Sequence, residues 1–163
     1  AGGSPAVDET NVYYASFAPP AKSSYSKIKV LVKDTDDATT FQAYVGVGIY
    51  SDENNSPYEL LGSGYKEITG IVENTIVDFD LDSEVTVRPG SRYWFAIGVD
   101  YAASWMEISM VRYEVQNAQT HGLGLLKSQD DIFDYYGVSS VLPSTVTGTV
   151  DDSAYGFWFR LEP

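Results

Sequence analysis

Arg88-Pro89-Gly90 is followed by Ser91-Arg92-Tyr93-Trp94-Phe95-Ala96-Ile97-Gly98-Val99-Asp100, and no other stretch restricts the fold as strongly. A Pro-Gly pair sets a turn, and the run after it is apolar at both parities, so neither face suits water. At a period of two, Tyr93, Phe95, Ile97 and Val99 point one way, and Trp94, Ala96 and Gly98 the other. The stretch is therefore expected to be a central β-strand covered on both sides. It belongs to a core and carries no catalytic motif.

Other strands gather around it. Val12 to Phe17 is a first strand ended by Pro19-Pro20. Ile28, Val30 and Val32 alternate with Lys27, Lys29, Leu31 and Lys33, the pattern of one buried and one wet face. Three of the ten basic residues lie there, which fits an edge strand guarded against strand addition. From Phe41 to Tyr50, residues Phe41, Ala43, Val45, Val47 and Ile49 share a face. Gly46 and Gly48 leave the opposite face bare between Tyr44 and Tyr50, and Trp94 or Trp158 is expected to fill that gap. Ser51 to Pro57 reads as a loop, and Leu60-Leu61-Gly62 leads into a short strand ending near Ile68. A strand from Ile71 to Leu81 turns Thr75, Val77, Phe79 and Leu81 inward and Ile76, Asp78, Asp80 and Asp82 outward, after which Val85 and Val87 approach the Pro-Gly turn. Met106 to Val115 is a further strand. Gln116 to Asp152 is less regular and is the one region open to a short helix, and Tyr155 to Leu161 closes the chain as a docked strand. About eight to ten short strands with regular turn signals indicate an all-β, antiparallel sandwich of jelly-roll type. Residues 1–11, small and polar, read as an extended N-terminal arm, and residues 12–163 as a single domain.

At 163 residues without cysteine, such a domain is stabilised by packing alone, with no disulfide framework, thiolate nucleophile or Cys-ligated zinc. Ten basic against 23 acidic residues give a formal charge of -13. That balance repels phosphate backbones and anionic headgroups, so neither nucleic-acid binding nor membrane insertion is expected. No apolar run approaches the roughly 20 residues of a membrane span.

Residues able to carry chemistry are few. Asp78, Asp80, Asp82 and Glu84 mimic the start of a calcium loop. Phe79 and Leu81 between them fit a strand better, and no glycine stands at the sixth position. Asp34, Asp36 and Asp37, or Asp130, Asp131 and Asp134, offer loop calcium as the alternative to no cofactor at all; acidic loops on an acidic protein are more often hydrated. His121 is the only histidine, and its neighbours Thr120 and Gly122 give neither a nucleophile elbow nor metal-ligand spacing. Paired carboxylates for glycoside hydrolysis are defined by separation in space, not by spacing in the chain, and the chain is small for a cleft enzyme. The expectation is no enzyme and no catalytic, cofactor or metal residue. Tyr101, Trp105, Tyr135 and Tyr136, in loops held by the sandwich, are the candidate ligand or interface residues, suited to stacking on sugar rings or anchoring a protein contact.

Val45-Gly46-Val47-Gly48-Ile49-Tyr50-Ser51, then Pro57 with Leu60-Leu61-Gly62, then Val87-Arg88-Pro89-Gly90 with Tyr93-Trp94-Phe95-Ala96-Ile97, carry a resemblance. They resemble the jelly-roll head domains of tailed-bacteriophage fibre, receptor-binding and capsid decoration proteins. Leu142-Pro143 and Phe157-Trp158-Phe159-Arg160-Leu161 are similar to the closing segment of those domains. The resemblance covers about residues 25 to 161 and parts of it are shared by secreted bacterial sandwich modules. It implies a non-enzymatic virion surface protein, exposed outside the particle, commonly trimeric, which recognises either other virion proteins, such as a neighbouring capsid or tail protein, or a host surface glycan. No catalytic residue carries over, because the shared positions determine fold. The coiled-coil stalk and collagen-like repeat of fibres are missing from this sequence. A carbohydrate-binding module of a bacterial secreted protein is the alternative.

Overall fold

The computed structural model describes residues 12–35, 42–69, 75–101, 108–110, 125–128, 142–146, 150–152 and 159–163. The described residues carry ten strands: β1 (Val12–Phe17), β2 (Ser23–Thr35), β3 (Gln42–Glu53), β4 (Ser56–Thr69), β5 (Thr75–Val87), β6 (Tyr93–Tyr101), β7 (Ile108–Met110), β8 (Leu125–Ser128), β9 (Val150–Asp152) and β10 (Phe159–Glu162). They form two antiparallel sheets, a six-stranded one in the order β4-β3-β6-β1-β8-β9 and a four-stranded one in which β2 lies between β10 and β5. β7 pairs the far end of β2 beyond β10. No described residue is helical; where a short helix was open between Gln116 and Asp152, the described stretches include strands β8 and β9.

β6 is an interior strand of the larger sheet, and every residue from Tyr93 to Val99 is buried. The alternation read from the sequence divides its side chains between two apolar layers. Tyr93, Phe95, Ile97 and Val99 enter the layer between the sheets, with Tyr13, Val45, Val47 and Ile49 from their own sheet and Ile28, Val30, Val32, Phe79, Val85 and Val87 from the other. Phe95 stacks on Phe159 with ring centroids 4.2 Å apart, tying β10 to the opposite sheet. Trp94 and Ala96 enter a second layer on the outer face of the six-stranded sheet, with Val12, Tyr14, Tyr50 and Leu142.

Several sequence expectations need correction. β2 is not an edge. It is flanked by β5 on one side and by β10 and β7 on the other. Its lysines answer carboxylates on those neighbours: Lys29 Nζ lies 3.5 Å from Asp78 and 3.6 Å from Glu162, and Lys27 Nζ lies 3.9 Å from Asp80. A row of lysines on an interior strand is compatible with burial of the other face because charges of opposite sign stand across from it. The segment from Ser51 to Pro57 is a tight hairpin, not a loop. Asn54 and Asn55 both have positive φ, 55° and 61°, as a two-residue type I′ connection requires. The strand that follows is long, beginning at Ser56 and running 14 residues. Val85 and Val87 belong to β5 itself, which starts at Thr75.

β4 also closes the sandwich. Within it Gly62 and Gly64 lie against the backbone of β5, so that a Cβ built on Gly64 would run into the Asp80 carbonyl. Ser63 N–H, between them, donates to Asp82 Oδ1 at 2.9 Å. The pairing of β2 with β5 slips between Tyr25 and Lys27, opposite Asp80 to Val85. That irregularity bends β5 toward the edge strand of the other sheet.

Candidate functional site

Two parts of the molecule are built in more detail than packing between sheets requires. The first is the outer face of the six-stranded sheet. Gly48 on β3 leaves a notch there, and a Cβ at that position would lie 2.8 Å from Leu60 Cδ1 and 3.0 Å from Leu142 Cδ1. Leu60 and Leu142 therefore fill the space for which Trp94 was the expected occupant; Trp158, the other, lies outside the described residues. Trp94 sits one register step away, across from Tyr50. Its indole Nε1 donates to Asp52 Oδ1 at 2.8 Å, which meets the hydrogen-bonding need of a side chain 1% exposed.

Residues 142–146 cross this face as a strap. Leu60 N–H donates to the Ser144 carbonyl and Val146 N–H to the Tyr58 carbonyl. Two phenols clamp it as well: Tyr50 Oη donates to the Pro143 carbonyl at 2.7 Å, and Leu142 N–H donates to Tyr65 Oη at 2.9 Å. Tyr65 in turn stacks on Tyr44, with centroids 6.0 Å apart and rings 4° from parallel. This arrangement holds a chain segment against the sheet.

The second part is the end of the sandwich where β1 runs into β2, β3 into β4 and β5 into β6. Ser51 and Phe17 both pair with Tyr93, and Ser23 pairs with Val87, which brings the three connections to one end. The β5–β6 turn is firmly set. Pro89 fixes its own φ, Gly90 takes φ of 86° as the third residue of a type II turn must, and Arg88 N–H donates to Tyr93 Oη at 3.0 Å. Arg88 and Arg92 flank the turn, and Lys22 closes the β1–β2 connection; all three are exposed.

The other cations whose side chains are described are occupied. Lys27, Lys29 and Arg160 stand in ion pairs, and Lys66 lies 5.8 Å above the Phe79 ring. Lys22, Arg88 and Arg92 form no ion pair among the described residues. Glu53 on the neighbouring hairpin is exposed without pairing to them, and Asp52 is engaged by Trp94. Sequence reading passed over this group. The Arg-Pro-Gly-Ser-Arg spacing was visible, but the approach of Lys22 depends on strand register.

Of the residues singled out for recognition, Tyr101 ends β6, its backbone paired with Ala43. Trp105, Tyr135 and Tyr136 lie outside the described residues, as do His121, Asp36, Asp37, Asp130, Asp131, Asp134 and the arm at 1–11. The structure therefore neither gathers nor separates the four aromatic candidates. The stripe Asp78, Asp80 and Asp82 does lie on a strand, where the first two face lysines and the third accepts the Ser63 N–H. Among the described residues no group of three or more His, Cys, Asp or Glu stands where it could hold a metal ion. No model of a known protein family matches this chain, and no curated protein matches it.

Proposed function

We propose that this chain is a non-enzymatic virion surface protein of the capsid decoration, head-fibre or fibre-tip kind. It works as a rigid jelly-roll sandwich that attaches to other virion proteins, recognises the host surface, or both, and it assembles as a homo-oligomer, a trimer in the first instance. The observation that carries this reading is the meeting of the motif residues in one packed patch. Gly48, Tyr50, Leu60, Trp94 and Leu142 lie far apart in sequence, yet they pack together over the outer face of the six-stranded sheet. These are among the positions on which the resemblance to phage head domains rests, and their packing in one patch supports that reading. Alternation of the chain between two antiparallel sheets also supports this reading. Successive strands change sheet at almost every connection, with β3–β4 and β8–β9 staying in one sheet.

Display by such a scaffold needs no catalytic group, only stability and surface. The test is a native mass measurement on the purified chain together with co-sedimentation on phage particles that lack it. A symmetric oligomer that saturates the particles is the expected result. A monomer with no affinity for particles would overturn the proposal.

A further inference from the structure

We infer that the end of the sandwich bearing Lys22, Arg88 and Arg92 is a docking surface for carboxylates on a second copy of this chain. The inference rests on the homo-oligomer proposed above and assigns its contact. In a chain with 23 acidic and ten basic residues, an unpaired cation is scarce. Among the basic residues whose side chains are described, those without an ion-pair or aromatic partner, Lys22, Arg88 and Arg92, lie at one end.

In an isolated copy they have no ion-pair partner among the described residues. Lys22 and Arg88 follow directly on the register pair Ser23 and Val87, so two like charges flank the same rung without a carboxylate between them. Like charges across neighbouring strands are destabilising, and an incoming carboxylate removes that repulsion. The backbone that carries them is already ordered by Pro89, by Gly90 and by the bond from Arg88 N–H to Tyr93 Oη, which limits the entropy lost on docking. Arginine adds a planar fork that grips a carboxylate with two hydrogen bonds.

The complementary surface is on β5. Asp80 has a side chain 89% exposed, with Lys27 at 3.9 Å, and Glu84, further along β5, is exposed as well. In a cyclic trimer the contact between the cationic end of one copy and these carboxylates of the next is heterologous. Heterologous contacts that close produce rings, the form a cyclic trimer takes. A long polyanion is a poorer occupant, since beyond this end it would run along flanks of its own sign.

The test compares sedimentation of the full chain over a range of concentrations at physiological salt. R88Q/R92Q and the control K66Q/R160Q change net charge equally, and thermal midpoints confirm that each is folded. R88Q/R92Q is expected to weaken self-association by about tenfold or more, while the control stays close to wild type. Mixing R88E/R92E with D80R/E84R, each unable to assemble alone, is expected to restore the contact between unlike copies, seen as a one-to-one pair, while an odd ring cannot alternate the two variants and a closed trimer is not expected to return. A wild-type monomer at every concentration, unchanged assembly of R88Q/R92Q, or a mixture that stays apart overturns the inference. So does binding of an acidic polysaccharide at Arg88 and Arg92 by a chain that never self-associates. If R88Q/R92Q assembles normally and still binds particles, only this inference falls. If assembly depends on the arginines but particles are never bound, only the virion proposal falls.

Discussion

The two sheets present opposite outer faces. On the four-stranded sheet, β2, β5 and β10 alternate outside the slip between Tyr25 and Lys27, and what faces outward is Lys27, Lys29, Asp78, Asp80, Arg160 and Glu162, linked by ion pairs. On the six-stranded sheet the outward positions of β1, β3 and β6 hold Val12, Tyr14, Tyr50 and Trp94, and residues 142–146 lie across them. The same architecture thus has a wet face on one sheet and a third layer on the other. The inner layer needs only apolar side chains at every second position. The outer layer also has to satisfy an indole, two phenols and the backbone of the strap, and each of these has a bonded partner. Burial of polar atoms is tolerated only on that condition.

If this contrast is right, substitutions of similar chemistry should have unequal effects on the two faces. The largest effect is expected from Trp94→Ala. Trp94 is 1% exposed, packs beside Tyr50 and Ala96, and leaves Asp52 without its donor when removed. A loss of about 3–5 kcal/mol is expected from equilibrium denaturation. A loss below about 1 kcal/mol, the scale of a surface change, would mean that the outer layer is not a core.

Leu142→Ala comes next. The side chain is 1% exposed and plugs the notch at Gly48, so truncation should cost about 2–4 kcal/mol. Here the pattern matters more than the size. Hydrogen exchange should accelerate first at Leu60 and Val146, whose amides bind the strap and the strand beneath it, while β2 and β5 keep their protection. Uniform acceleration through both sheets would instead make the strap and the inner layer one cooperative unit.

How far the sequence foretold this contrast depends on the range of the contacts. Period-two patterns in 28–32 and 93–99 are local and gave both faces of β2 and β6, including the two-sided burial of β6. The partners of the lysines lie on β5 and β10, so alternation alone could not distinguish an interior β2 from a guarded edge. The Asn54-Asn55 turn was hidden in a run of turn-forming residues, where only the left-handed φ of both asparagines marks a hairpin. The strap was the least legible feature. Leu142-Pro143-Ser144-Thr145 has no periodicity, and its hydrogen bonds reach 93 positions back to Tyr50. The candidate site divides in the same way: the Pro-Gly turn was evident, whereas the meeting of Lys22 with Arg88 and Arg92 needed the register of two strand pairs.

Tyr50→Phe separates the polar contribution to the outer layer from the apolar one. The ring remains, with its edge-on contact to Tyr14 at 5.5 Å, and the hydroxyl bond to the Pro143 carbonyl is removed. A cost of about 1 kcal/mol is expected, rising toward 2 if the carbonyl stays dry. Limited proteolysis near 142–146 should report it more sharply than the thermal midpoint does. No change in either would assign the strap's attachment to Leu142 and the backbone pairs alone.

The smallest effect is expected on the other sheet, from Lys29→Gln. Lys29 stands between Asp78 and Glu162, on a strand with neighbours on both sides, and its side chain keeps 26% of its exposure. Two partners at 3.5 and 3.6 Å resemble a network, yet Asp78 is 45% exposed and water screens the pair. The stem of glutamine covers much of the surface that the lysine stem covers, so little packing is lost with the charge. The cost should be under about 1 kcal/mol and should shrink further in high salt. A salt-independent loss of about 2 kcal/mol or more would mean that Lys29 acts through burial. The outer face of the four-stranded sheet would then be a covered layer like its counterpart, and the contrast between the faces would disappear.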